Sequence, residues 1–194
     1  NLTTGALVTA FDGDGIVVSN PSSGGDTIRT IAVDSSGIYV AGNNLGAPLP
    51  LVIEKRNLTT GALITAFNGV GIVNSSGESY AIAIDSTYMY VAGYDWPGGD
   101  WQWRIEKRNL SNGALVTSFD GDGIVTSNPT IGRSDVILSI AIDSSGIYAV
   151  GYDSTPLTNV QWLIEKRSNT TTCAGPVSIS RTDSTITANF TKIR

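Results

Sequence analysis

The stretch "IEKRNLTTGAL" (53–63) returns almost unchanged as "IEKRNLSNGAL" (105–115). Its second half opens the chain as "NLTTGAL" (1–7), and its first half recurs as "LIEKRSN" (163–169). Outward from this phrase the rest of the chain repeats as well. "GALVTAFDGDGIV" (5–17) matches 61–73 and 113–125, and "TIAVDSSGIYVAG" (30–42) matches "AIAIDSTYMYVAG" (81–93) and "SIAIDSSGIYAVG" (139–151). Three copies result, 1–56, 57–108 and 109–167, with 168–194 left over. Self-similarity at a period of this length is the mark of a repeat architecture.

Within each copy the pattern is that of short strands. Around 81–93 the residues on both sides of the first strand are apolar, as in a strand covered on both faces. The turn "DSSG" (34–37, 143–146) puts an Asp first, where its side chain caps the turn, and a Gly last. Copy two carries Tyr88 in the last place, so that turn is expected to differ locally. A further strand ends in Glu-Lys-Arg (54–56, 106–108, 165–167), and the segment around "GIV" supplies a fourth. Four short antiparallel strands per copy predict an all-β chain of β-propeller-like blades. Counted from the hairpin, the blades run 26–77 and 78–130, with 135–167 lacking its outermost strand. Residues 1–20 are expected in that role, beside 160–167, or else with another chain or with preceding sequence. The Glu-Lys-Arg strand is expected to be solvated.

The residues "GALVTAFDGDGIV", "AIAIDSSGIYAVGY" and "IEKRN" resemble the delta-60-type propeller repeat of large bacterial and archaeal surface proteins, over 1–167. Copy two departs from it with Asn68-Gly69-Val70-Gly71 in place of Asp-Gly-Asp-Gly. The resemblance implies a secreted, repetitive, non-catalytic propeller, and it transfers no catalytic residue. The remainder, 168–194, opens on a Thr-rich linker. "VSISR" and "TITANFTKI" then alternate like two strands. That tail faintly resembles the first strands of a fibronectin-type or immunoglobulin-like module. It could equally be a connector donated to a neighbour.

Composition narrows the function classes. Charged residues make up 15% of the 194 residues and hydrophobic ones 41%, a mix that suits strands and turns. The net charge of −5 makes nucleic acid a poor partner, because affinity for it comes mainly from neutralised phosphates. No apolar run approaches the length of a membrane-spanning helix. Histidine is absent and the one cysteine is Cys173, which removes the commonest general base and any internal disulfide. No nucleophile stands beside an evident base, so no catalytic residue, cofactor or metal is expected.

Asp12 and Asp14, and Asp120 and Asp122, are spaced like the head of a calcium loop, but the distant Glu of an EF-hand is missing. Copy two keeps only the glycines, as a tight turn requires; calcium stays an open alternative. The copies differ most at 43–51, 94–103 and 152–162, where a repeat scaffold carries specificity. Tyr94, Asp95, Trp96, Trp101, Tyr152 and Asp153 are therefore the candidate binding residues. Trp101, Trp103 and Trp162 have a second reading, as packing of blade against blade, with Trp96 beside Pro97 the expected exposed exception. Six sequons, at Asn1, Asn57, Asn74, Asn109, Asn169 and Asn189, are candidate glycosylation sites.

The expected function is a non-catalytic structural or adhesive segment of a cell-surface or extracellular assembly. Its partners would be other copies of itself, neighbouring domains of a longer chain, or glycans. The alternative is a lectin-like carbohydrate- or protein-binding module that uses the Trp-bearing loops. Hydrolysis is a third and weaker reading, since no carboxylate pair stands out from the repeat.

Overall fold

A computed structural model describes residues 2–45, 50–129, 132–154 and 160–168, and the backbone alone of 178–182 and 185–189. All regular structure among the described residues is β. The first sheet holds β1 (Asp26–Asp34), β2 (Gly37–Asn44), β3 (Leu51–Arg56) and β4 (Ile72–Ser75) in that order. The second holds β5 (Glu78–Ile84), β6 (Tyr88–Asp95), β7 (Gln102–Asn109) and β8 (Ile124–Ser127). The third has three strands, β9 (Asp135–Asp143), β10 (Gly146–Ser154) and β11 (Val160–Arg167), and the tail pairs β12 (Ser178–Thr182) with β13 (Thr185–Asn189). Every pairing between these strands is antiparallel.

Each sheet starts from a hairpin that its turn closes locally. Asp34 Oδ1 accepts from the backbone amides of Ser36 (2.7 Å) and Gly37 (3.1 Å), and Asp143 Oδ1 does the same for Ser145 and Gly146. Tyr88 does alter its turn, in a mild way. Its amide still donates to Asp85 Oδ1, at 2.7 Å, but the ladder stops one pair earlier, at Ile84 and Met89. Tyr88 does not adopt a positive φ, so the steric cost of a left-handed bulky residue does not arise. A few residues along from its turn, each hairpin bulges, between Ile28 and Thr30, Ser79 and Ala81, and opposite Val150 and Gly151. Gly42, Gly93 and Gly151 sit across from these bulges. A Cβ there would collide with the carbonyl oxygens of Thr27, Glu78 and Val136, respectively, a close backbone approach that only glycine permits.

The sheets stack in series with a core in each gap. Met89 and Val91 of β6 face the first core, with Tyr39, Ala41, Ile53 and Phe67. Tyr90 and Ala92 of the same strand face the second, with Trp103, Ile105, Ile137 and Ile147. The period of two along β6 thus feeds two cores, which is why its sequence is apolar on both faces. The series is open. The outer face of the first sheet leaves Ile28, Ile31 and Val33 more than half exposed, and that of the third leaves Trp162 and Ile164 so.

Among the described residues, 2–25 form no strand, so 1–20 do not take the place beside 160–167, the first of the alternatives expected for them. Another expectation needs correction. The Glu-Lys-Arg triplets are not solvated in the first two sheets: Glu54, Lys55, Glu106, Lys107 and Arg108 are all buried. The reason is topological. β3 and β7 are third of four strands, with β4 and β8 beyond them, so their charges lie under cover. In the third sheet, which has no fourth strand among the described residues, Lys166 is exposed and Glu165 and Arg167 are half-buried.

The buried charges of these triplets are compensated, by ion pairs for the Glu and Arg side chains and by a carbonyl or aromatic rings for the lysines. Glu106, fully buried, accepts from Arg104 Nη2 (2.5 Å), Arg108 Nε (2.6 Å) and Ser75 Oγ (2.5 Å), and Arg104 also reaches Asp95 at 3.1 Å. Lys55 Nζ donates to the carbonyl of Leu110 at 2.9 Å and lies over the Tyr39 ring. Lys107 Nζ sits over Tyr88, Tyr90 and Phe119, and desolvation pulls its pKa below the usual lysine range. Burial of charge is tolerable only when it is compensated in this way.

Candidate functional site

The variable loop of copy two builds an aromatic cluster. Tyr94 is the penultimate residue of β6, and its ring stacks on Trp101, centroids 4.5 Å apart and 13° from parallel. Trp96 meets Trp101 edge-on at 6.4 Å, and Tyr80 meets Tyr94 at 6.0 Å. The Arg29 guanidinium from the first sheet lies 5.1 Å from the centre of the Tyr80 ring. Between Trp96 and Trp101 the "PGGD" segment doubles back through Gly98 and Gly99, whose φ values of 105° and 109° suit glycine.

The base of the loop is anchored. The Trp101 carbonyl accepts from the Asp135 amide at 2.9 Å. The Asp100 carboxylate accepts from Asn128 Nδ2 (2.9 Å) and the Gly132 amide (2.6 Å), and these bonds hold its pKa below the usual carboxylate range. Trp96 is 61% exposed on this frame, while Tyr94 is 8% exposed. The site therefore offers one accessible indole backed by a rigid aromatic stack. Such a surface can stack on the face of a sugar ring or anchor an apolar side chain.

The six candidate binding residues divide accordingly. Tyr94, Trp96 and Trp101 come together, joined by Tyr80, which the sequence reading missed because it lies inside a strand and not in a variable loop. Asp95 is taken up by its ion pair with Arg104. Tyr152 and Asp153 lie on β10 of the next sheet. There the Tyr152 carbonyl accepts from Trp103 Nε1 at 3.3 Å, which makes this position part of a sheet-to-sheet contact. Trp103 is buried in the second core, as the packing reading expected, whereas Trp162 is 93% exposed.

The Asp-Gly-Asp-Gly segments are turns built on positive φ. Asp12, Asn68 and Asp120 adopt φ of 53°, 51° and 52°, respectively. Asp14 Oδ1 caps the Ile16 amide and Asp122 Oδ1 the Ile124 amide, both at 2.8 Å. Asn and Asp are the residues that best tolerate this conformation, so Asn68 replaces Asp without changing the fold. Among the described residues no group of three or more His, Cys, Asp or Glu is arranged to hold a metal.

Of the sequons, Asn57 and Asn74 are exposed and Asn109 is half-buried at the end of β7. Asn57 Oδ1 accepts from the amides of Thr59 (2.8 Å) and Thr60 (2.9 Å). Asn1, Asn169 and Cys173 lie outside the described residues, and Asn189 is described only as backbone at the end of β13. No protein-family model matches the chain, and no curated protein is significantly similar to it.

The tyrosines of these cores give the protein an alkaline limit. Burial first, then Asp85, raises Tyr90 well above the ordinary 10.0. Burial first, then Glu78, does the same for Tyr94. Each folded-state pKa lies above the unfolded one, so the unfolded chain releases these protons first as the pH rises. Stability is then present in full below about pH 10 and falls as the pH climbs toward the folded pKa. Urea unfolding followed between pH 8 and 11 should show this decline, and Tyr90→Phe should flatten it. An unchanged pH slope in the Tyr90→Phe variant would rule out this source.

Proposed function

We propose that the stacked sheets are blades of a β-propeller-like assembly and that the protein is a non-catalytic structural or adhesive element of an extracellular or cell-surface assembly. The observation that carries this reading is the open series of near-identical sheets, with apolar faces bare at both ends. An apolar sheet face of this kind calls for a neighbour of like construction. In the first two sheets the repeated charged residues, which would be the first candidates for chemistry, are absorbed into the scaffold, the Glu and Arg side chains by ion pairs and Lys55 and Lys107 against a carbonyl and aromatic rings. The likeness to the delta-60-type repeat of surface proteins points the same way. Assay of the full chain against panels of glycan and peptide substrates should show no turnover. Turnover abolished by a single carboxylate substitution would overturn the reading.

The extracellular address has its own test. If the host glycosylates asparagine, peptide mass spectrometry of natively purified protein should find Asn57 and Asn74 modified ahead of Asn109, in the order of their exposure. Unmodified peptides at all three would count against that address.

The stacked Tyr94–Trp101 pair beneath the exposed Trp96 favours a second reading, a lectin-like module. Binding on a glycan array should then fall by at least about tenfold in Trp96→Ala, the scale of a removed aromatic anchor. The fold should be kept, because the side chain projects into solvent. An array with no glycan signal, or a signal that survives Trp96→Ala, removes the second reading and leaves the first.

A further inference from the structure

Three contacts join the fourth-strand segment of the first sheet to the second sheet, and the first of them recurs between the second sheet and the third. Ser75 Oγ donates to Glu106 at 2.5 Å, and Ser127 Oγ to Glu165 at 2.7 Å. The Asn68 amide donates to the Asn112 carbonyl at 3.0 Å. Phe67 and Val73 lie so close over Gly113 that a Cβ there would meet them at 2.8 and 2.7 Å. The N-terminal segment makes the same three contacts with the first sheet. Ser19 Oγ donates to Glu54 at 2.5 Å, the Asp12 amide to the Thr60 carbonyl at 3.1 Å, and Phe11 and Val17 close over Gly61.

Residues 5–19 therefore sit against the first sheet as the fourth strand of a preceding sheet would. They lack only the strand they should pair with, since 16–19 carry no ladder whereas their counterparts are β4 and β8. The third sheet has the opposite deficit. Among the described residues, β11 has a ladder partner on one edge only, where β3 and β7 have partners on both. The bare faces correspond in the same way. Ile31 and Val33 align with Ile82 and Ile84, which pack on the first core, and Trp162 and Ile164 align with Trp103 and Ile105 in the second. A cavity of about 320 Å³ remains between residues 17–21 and the outer face of the first sheet, with Ile28, Val40 and Val52 in its wall.

We propose that these are the two halves of one interface and that each is filled by a second copy of this chain. The third sheet of one copy packs on the first sheet of the other, and residues 16–19 join β11 of the other copy as its fourth strand. The register follows from the internal pairs Glu54–Ile72 to Leu51–Ser75 and Glu106–Ile124 to Trp103–Ser127. It places Ile16 opposite Glu165, Val17 opposite Ile164, Val18 opposite Leu163 and Ser19 opposite Trp162. Trp162 Nε1 then reaches the Asn43 carbonyl of the second copy, as Trp103 Nε1 reaches Tyr152.

A second copy fits better than closure within one chain for two reasons. The three stacked sheets described are fewer than the four to eight of closed rings, and among the described residues both end faces stand open. Two copies supply six sheets, and using the interface twice about a two-fold axis leaves neither face bare. A head-to-tail contact that closes in this way gives a ring and not a fibre. The proposal does not depend on the structural role proposed above, since a binding module could assemble in the same way.

The test uses the full chain. Light scattering during size-exclusion chromatography should give about twice the 20.3 kDa chain mass, and Trp162→Asp should return it to the single-chain mass with an unchanged circular dichroism spectrum. In a Cys173→Ser background, Val17→Cys chains mixed with Ile164→Cys chains and mildly oxidised should form a two-chain disulfide, because directly opposed residues lie within disulfide reach. Val17→Cys mixed with Leu163→Cys should not, because a one-residue slip turns the side chain to the other face. A single-chain mass at every concentration, an open-ended series of masses, or equal crosslinking of the slipped pair would overturn the proposal. So would a Val17→Cys/Ile164→Cys double variant that crosslinks within one chain.

Discussion

Replacing Glu106 by glutamine should lower the unfolding free energy by about 3–5 kcal/mol, the range for breaking a buried ion pair by removing one partner. Glutamine keeps the shape of the side chain but removes its charge. Of the ion pairs that Arg104 and Arg108 make, both side chains being buried, only that of Arg104 with Asp95, at 3.1 Å, would remain. The repeat supplies internal controls in the same local sequence. Glu54 holds a single arginine, Arg56 at 2.7 Å, whose side chain is 13% exposed, and Glu54→Gln should cost about 1.5–3 kcal/mol, as for a lost hydrogen bond to a charged group. Glu165 pairs with Arg167 where both are a fifth to a quarter exposed, and solvent screening there should hold the cost below about 1 kcal/mol. Urea unfolding of the three variants should rank them in that order. Equal losses at Glu106 and Glu165 would mean that burial by the fourth strand does not set the strength of these pairs.

Replacing Trp103 by alanine should cost about 3–5 kcal/mol, the usual range for emptying a large aromatic site in a core. Trp103 is 1% exposed in the second core, among Ile105, Ile137 and Ile147. Truncation would open a cavity between two sheets whose strand pairing prevents them from collapsing into it, and would also remove the bond from Nε1 to the Tyr152 carbonyl. Trp162→Ala, at the equivalent place in the third sheet, should change stability by less than about 0.5 kcal/mol. That comparison belongs at a dilution where chains do not associate. A Trp162→Ala loss comparable to that of Trp103→Ala under those conditions would mean that the outer face of the third sheet is covered within one chain.

The strands, the turns and the order of the sheets were legible in the sequence, because the signals that set them are local. The Asp of "DSSG" caps amides two and three residues away. The glycines of "DGDG" adopt positive φ wherever they occur. The alternation along 88–92 needs only a period of two to place Met89 and Val91 opposite Tyr90 and Ala92. Copy two could exchange Asp for Asn68 because the turn asks for a residue that tolerates φ near +50°, whatever its charge.

The environment of identical phrases could not be read in this way. "IEKR" is written the same in all three sheets, yet Glu106 is fully buried between two arginines while Glu165 is partly open. Trp103 and Trp162 both stand two residues before "IEKR", yet one is among the most buried side chains and the other among the most exposed. Nothing within a few residues distinguishes them. What decides is whether a fourth strand lies beyond the third and whether another sheet lies on the face, and both depend on residues dozens of positions away. The aromatic cluster follows the same logic. The loop composition pointed to Tyr94, Trp96 and Trp101, but only packing decided that Tyr94 is covered, that Tyr80 joins it and that Trp96 alone presents its ring to solvent. Local backbone preference therefore determined the elements of this protein, and long-range contact decided which of their side chains are scaffold and which are surface.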